Sequence, residues 1–174
     1  MKSKMIALVL GMAAIVSAAE VINFNNTFET DANGKPAKWR INELAEYKPF
    51  GDIKVIKGEN GNSLQMISKG KSVHYYCDMP YNVKAGDTVT IRAKISGKGK
   101  ISFAGYFYGE RKRFCYGYFP MFALPEKPEV VTKSFVVEAR PGKPDVKTGY
   151  VVLAISAGAE ATISELDAEV EPAK

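Results

Sequence analysis

Along most of the chain apolar and polar residues alternate with a period of two, and the sustained 3.6-residue period of an amphipathic helix is missing. The clearest case is Thr88-Val-Thr-Ile-Arg-Ala-Lys-Ile95, where Val89, Ile91, Ala93 and Ile95 face one way and Thr88, Thr90, Arg92 and Lys94 the other. A segment of this kind is a strand with one buried and one wet face. The same pattern predicts strands over 21–24, 39–42, 53–57, 63–68, 72–78, 88–96, 100–108, 114–119, 132–139, 150–156 and 161–170. Turn-forming groups fall between them, among them Asp31-Ala-Asn-Gly34, Lys84-Ala-Gly-Asp87 and Arg140-Pro-Gly-Lys-Pro144. Eleven short strands predict an all-β fold, a two-sheet antiparallel β-sandwich of the jelly-roll type, because each apolar face needs a partner layer.

The N-terminus breaks the pattern. Lys2 and Lys4 precede an uncharged apolar run over 5–16, which ends in Ser17-Ala18-Ala19. This is the layout of a secretory signal peptide over 1–19, cleaved before Glu20. The run is too short to cross a bilayer, which takes roughly 20 apolar residues. Residues 20–174 are then one β-sandwich domain, secreted or periplasmic, without a membrane span. Loss of Lys2 and Lys4 leaves 22 basic against 19 acidic side chains, an excess too mild to point to nucleic acid. In an oxidising compartment the two cysteines, Cys77 and Cys115, either form one bridge or remain two small buried thiols.

Catalytic chemistry finds little support. His74 is the single histidine, no Gly-x-Ser-x-Gly elbow occurs, and neither cysteine lies beside a base motif. One histidine and two distant cysteines lack zinc-ligand spacing. The 19 acidic residues leave a carboxylate pair for glycoside cleavage open. Trp39 reads as core, as a lone Trp in a sandwich is usually well buried. With Val73 and Cys77 inside, His74, Tyr76 and Asp78 face out, and His74 reads as an ordinary surface histidine.

The stretch over 101–122 holds nine of the chain's nineteen aromatic residues around the charged tip Glu110-Arg-Lys-Arg113. Strand register decides what they share, since a one-residue slip exchanges the faces. An odd-length loop that pairs Tyr108 with Phe114 and Tyr106 with Tyr116 sorts the hairpin by chemistry. Ile101, Phe103, Phe107, Cys115 and Phe119 then form an apolar face. Ser102, Ala104, Tyr106, Tyr108, Phe114, Tyr116 and Tyr118 form a phenol-rich one, whose hydroxyls meet water or a polar ligand. Arg92 and Lys94, on a wet face, and the tip cations would suit a ligand rich in hydroxyls, carboxylates or sulfates.

Near the start of the expected domain the chain reads Asn23-Phe-Asn-Asn-Thr-Phe28-Glu29 and then Gly34-Lys-Pro36-Ala-Lys-Trp39. Further on come Gly61-Asn-Ser-Leu64, Val83-Lys-Ala-Gly86-Asp87 and the closing strand over 161–170. In this order the motifs resemble the jelly-roll carbohydrate-binding modules of the galactose-binding-domain-like group. The resemblance implies a non-catalytic domain that holds a glycan or polysaccharide on aromatic side chains, here Tyr76, Tyr106, Tyr108, Tyr116 and Tyr118 with Arg92 and Lys94. It implies no required cofactor but a structural calcium, for which Glu29 matches the family position and Glu165 is the second carboxylate. Two other readings stand beside it. One is a cell-envelope domain whose tyrosines meet an envelope protein; the other is a small glycoside-active enzyme.

Overall fold

The computed structural model describes residues 18–42, 51–59 and 61–174. Residues 1–17, which carry most of the expected signal peptide, lie outside the described residues. Among the described residues no helix is long and apolar enough to cross a membrane.

Thirteen strands are described: β1 (Glu20–Val21), β2 (Trp39–Ile41), β3 (Gly51–Gly58), β4 (Gly61–Ser68), β5 (Val73–Cys77), β6 (Tyr81–Asn82), β7 (Thr88–Lys98), β8 (Lys100–Tyr108), β9 (Phe114–Tyr118), β10 (Phe122–Ala123), β11 (Glu129–Val136), β12 (Thr148–Ile155) and β13 (Glu160–Glu171). Ten of the eleven predicted strands are present, and of the predicted strand over 21–24 only Val21 lies in a strand, β1. The sequence pattern passed over only β6 and β10, each two residues long and too short to show a period.

Two antiparallel sheets result. Sheet one runs β11-β7-β13-β4-β3, with β1 beside β13; sheet two runs β10-β8-β12-β5-β2, with β9 beside β8 and β6 beside β12. In β7 the alternation holds as read: Val89, Ile91, Ala93 and Ile95 are buried and Arg92 is exposed. They meet Val73, Tyr75, Cys77, Phe103, Phe107, Val151 and Leu153 of sheet two in one continuous core. Each large apolar side chain so buried contributes about 2 kcal/mol. Trp39 belongs to this core, its indole Nε1 donating to the Asn25 carbonyl at 2.9 Å. The Lys84–Asp87 turn closes on itself, the buried Asp87 carboxylate accepting the Lys84 N–H at 2.9 Å and the Ala173 N–H at 3.1 Å.

The hairpin of β8 and β9 departs from expectation at one point. Tyr108 pairs with Phe114 across the five-residue loop as read, but a bulge follows, after which Phe107 lies opposite Tyr116 and Tyr106 opposite Gly117. One extra residue reverses the faces of everything beyond it. Tyr116 and Tyr118 therefore turn inward, and Phe119 turns outward.

The inward position is well furnished. The Tyr116 ring lies 4.9 Å from Phe107, its hydroxyl accepts the Glu138 N–H at 2.6 Å, and the Arg140 guanidinium sits 4.8 Å over it. Tyr118 packs 4.6 Å from Phe135 of sheet one. The expectation that phenols keep to the wet face fails here because the backbone just beyond β11 supplies the Tyr116 hydroxyl with a partner.

The cysteines do not meet. Cys77 on β5 and Cys115 on β9 are free, buried thiols. Strands β12 and β8 stand between them. Three strand spacings are about 14 Å, beyond the roughly 7 Å a disulfide can span. Burial pushes the Cys77 thiol up to about 11, so it stays protonated.

Candidate functional site: an aromatic cleft on the outer face of sheet two

The outer face of sheet two carries a second, smaller hydrophobic cluster. Ala104 and Tyr106 of β8 and Val152 of β12 are buried there under Tyr76, Tyr108, Phe119 and Tyr150. Strand alternation puts them together: the register sets Tyr150 opposite Tyr106 and Val152 opposite both Ala104 and Tyr76.

The rings form a row. Tyr76 lies 6.3 Å from Tyr150 at 87°, Tyr150 lies 5.5 Å from Tyr108 at 82°, and Tyr108 lies 5.4 Å from Phe114 at 67°. These edge-to-face pairs match the preference of the ring quadrupole. Successive rings are turned steeply against one another, so the row presents both edges and faces.

Tyr106 is the floor of the row. Its hydroxyl accepts from the Asn42 amide at 2.5 Å and lies 2.9 Å from His74 Nδ1. His74 stacks on Phe119 with centroids 4.3 Å apart. It is thus a half-buried member of the cluster, not an ordinary surface histidine. Burial holds its pKa below the ordinary histidine value, so at neutral pH the ring is uncharged and Nδ1 can accept the Tyr106 proton. Gly117 makes room for this: a Cβ there would stand 2.3 Å from the Phe119 ring.

The row and its floor enclose a cleft of about 270 Å³ lined by Asn42, Tyr76, Asp78, Tyr106, Tyr108, Lys112 and Tyr150. Asp78 is held by Arg40 at 3.0 Å. Burial raises the pKa of the Tyr108 phenol, keeping it a proton donor at neutral pH. Lys112 comes from the tip, where Arg111 (φ 54°) and Lys112 (φ 56°) are consecutive left-handed residues. That conformation costs roughly 1 to 2 kcal/mol for each non-glycine residue. The loop is pinned by Gly109 N–H to Arg113 O at 2.9 Å, and Gly109 rests against Pro144, which a Cβ would approach to 2.6 Å.

The structure gathers part of the predicted set. Tyr76, Tyr106 and Tyr108 share the cleft. Tyr116 and Tyr118 do not, having turned inward at the bulge. Arg92 and Lys94 lie on β7 of sheet one and face the opposite side of the sandwich, where Arg92 reaches Asp167 at 3.7 Å and Lys94 reaches Glu165 at 3.1 Å. Sequence reasoning missed Asn42, Arg40 and Tyr150. Tyr150 was legible as the residue preceding the apolar run of β12, with Val152 two positions on; nothing local marks Asn42 or Arg40.

Glu29 and Glu165 do not fit a shared cation. Glu165 is taken up by the Lys94 ammonium, and Glu29 stands exposed on a loop whose backbone bonds to Asn25 and Ala37. Among the described residues no group of three or more His, Cys, Asp or Glu side chains could hold a metal ion.

Fold and cleft together define a jelly-roll sandwich with an aromatic site on one outer face. Solved proteins of this architecture are similar to it throughout. The CBM22-1 xylan-binding domain of Paenibacillus barcinonensis Xyn10C matches with a TM-score of 0.57 and 10% identity, over 91% of this chain and 99% of that domain. A cyclase from Fischerella sp. TAU matches with a TM-score of 0.59 and 11% identity, over 90% of this chain and all of the other. In the arabinose-bound MgGH51 α-L-arabinofuranosidase the match has a TM-score of 0.57 and 13% identity over 88% of this chain, which spans 27% of that enzyme. No protein-family model and no curated protein matches. At such identities the likeness is one of fold, and it bears out the jelly-roll resemblance of the sequence.

Proposed function

We propose that this chain is an exported glycan-binding domain whose binding surface is the tyrosine-lined cleft of sheet two, and that it performs no covalent chemistry. The observation that carries the reading is the row Tyr76, Tyr150, Tyr108 standing over the Asn42–Tyr106–His74 network. Sugar rings present C–H faces ringed by hydroxyls. Phenol rings offer apolar faces to the first and hydroxyl groups to the second, while Asn42, Asp78 and Lys112 supply directed polar contacts at the edge.

The floor suits binding as well. Tyr106 is fixed by its bonds to Asn42 and His74, so little side-chain freedom remains to be lost when a ligand settles. Hydrolysis of a glycosidic bond usually needs two carboxyl groups facing each other across the bond. One carboxylate, Asp78, lines the cleft among the described residues, and Arg40 engages it. That arrangement favours holding a sugar over cleaving it. The solved xylan-binding domain of the same fold lends further support.

Calorimetric titration against a panel of neutral and acidic polysaccharides tests the reading. Binding by the native chain that is strongly weakened in Tyr76→Ala and in Tyr150→Ala, with melting temperature retained, is the expected result. Silence across the panel, or binding indifferent to both substitutions, would overturn it, and turnover of a bound glycan would refute the non-catalytic part.

A further inference from the structure

The cleft does not end at Tyr108 and Tyr150. Beyond them a second hollow of about 290 Å³ is lined by Pro80, Tyr108, Glu110, Arg111, Lys112, Lys147 and Tyr150, among others. Tyr108, Tyr150 and Lys112 line both hollows, so the two adjoin along these side chains and are taken together as one trough.

The far end gathers three cations, Arg111, Lys112 and Lys147, around one hollow. Every ion pair among the described residues joins a cation elsewhere: Arg40 to Asp78, Arg92 to Asp167, Lys94 to Glu165, Lys98 to Glu160 and Arg140 to Glu138. Arg111, Lys112 and Lys147 have no such partner, and Glu110 is the one carboxylate lining that hollow. These cations are also placed with care. Arg111 and Lys112 occupy the two left-handed positions of the tip, and the Lys147 backbone is fixed by its N–H to the Tyr108 carbonyl at 2.9 Å. Three cations gathered at the mouth of a cleft make a local positive field that attracts an anionic group.

From this we infer that the trough takes a glycan bearing carboxylate or sulfate groups, its sugar rings against Tyr76, Tyr150 and Tyr108 and its acidic substituent at Arg111, Lys112 and Lys147. The inference rests on the glycan-binding reading and adds the ligand's charge and its direction along the sheet. Guanidinium and ammonium groups recognise such oxygens through short charge-assisted hydrogen bonds. Tyr108 and Tyr150 are shared between the uncharged and the charged ends.

Matched polymers separate charge from backbone. Affinity would be measured by calorimetry for polygalacturonate against its methyl-esterified form and for dextran sulfate against dextran, with the best neutral binder of the panel alongside. The expected result is a preference of about tenfold for an acidic member over its neutral partner. It should shrink as salt rises, vanish in Lys112→Gln/Lys147→Gln, and be unaffected by Arg92→Gln. The carboxylate and sulfate arms identify which group is read. Equal affinity for charged and neutral partners would overturn the inference and leave glycan binding standing. Acid preference that survives Lys112→Gln/Lys147→Gln, or acid binding that survives Tyr150→Ala, would overturn it as unspecific ion exchange. No binding to any polymer, neutral or acidic, would overturn both.

Discussion

The two outer faces of the sandwich are built from the same strand alternation and reach opposite ends. On sheet one, outward residues answer one another across strands: Arg92 with Asp167, Lys94 with Glu165, Lys98 with Glu160, and Thr90 with Ser134 at 2.9 Å. On sheet two, outward residues are aromatic and stand around a cleft, with unpaired cations at its far end. On sheet one the central charges of β7 are engaged across the strands, whereas the cleft of sheet two offers half-buried phenol rings and three cations gathered at its far end. Aromatic clustering around a cleft, more than polarity, distinguishes the candidate site from the other outer face.

This contrast can be broken in several places. The largest effect should come from the inward tyrosine that the bulge removed from the cleft. Tyr116→Ala empties a core position and strands the Glu138 N–H, costing about 3 to 5 kcal/mol in chemical denaturation, while affinity per folded molecule stays unchanged. A loss of affinity without loss of stability would place Tyr116 back on the binding face. Next come the outward rings. Tyr76→Ala or Tyr150→Ala should each weaken glycan binding by about 2 kcal/mol, the range of a binding hot spot, with a small change in melting temperature.

His74 gives a smaller, pH-dependent effect. Its folded-state pKa is depressed by burial, so below the unfolded value of 6.5 the unfolded chain binds the proton more readily. Stability is therefore full above that value and falls as pH drops from it toward the folded pKa. Denaturant midpoints measured from pH 7 to 5 should decline less in His74→Gln than in the native chain; parallel declines would contradict the assignment. The smallest effect belongs to sheet one. Arg92→Ala and Lys94→Ala each remove an exposed pair worth at most about 1 kcal/mol, and neither should alter binding.

How much of this was legible in the sequence follows from what is local. Alternation in β7 and β12, the turn chemistry around Asp87 and the apolar inner face of β8 are read from neighbouring residues, and they led to the two-sheet antiparallel sandwich. The pairing of Tyr108 with Phe114 was also legible, because loop length sets it. The bulge after it was not: what stabilises it is the Glu138 N–H, Arg140 and Phe135, which the chain reaches some twenty residues later. The same holds for Arg92 and Lys94. Their outward direction on β7 was read correctly, but which sheet β7 joins depends on its pairing with β11 and β13, and that placed them behind the sandwich from the tyrosines. Tyr76, Tyr106 and Tyr108 were read onto one outer face because they sit on strands whose register is set nearby. Tyr150 entered the site only through the pairing of β12 with β5 and β8.

The central claim is that one outer face binds and the other does not, and amide chemical-shift mapping during titration with a soluble glycan oligomer tests it most directly. The account predicts shifts concentrated on the outward positions of β5, β8 and β12 and on the Gly109–Arg113 tip, with β7 and β13 silent. Shifts centred on Arg92, Lys94 and Asp167, or spread evenly over both sheets, would contradict it.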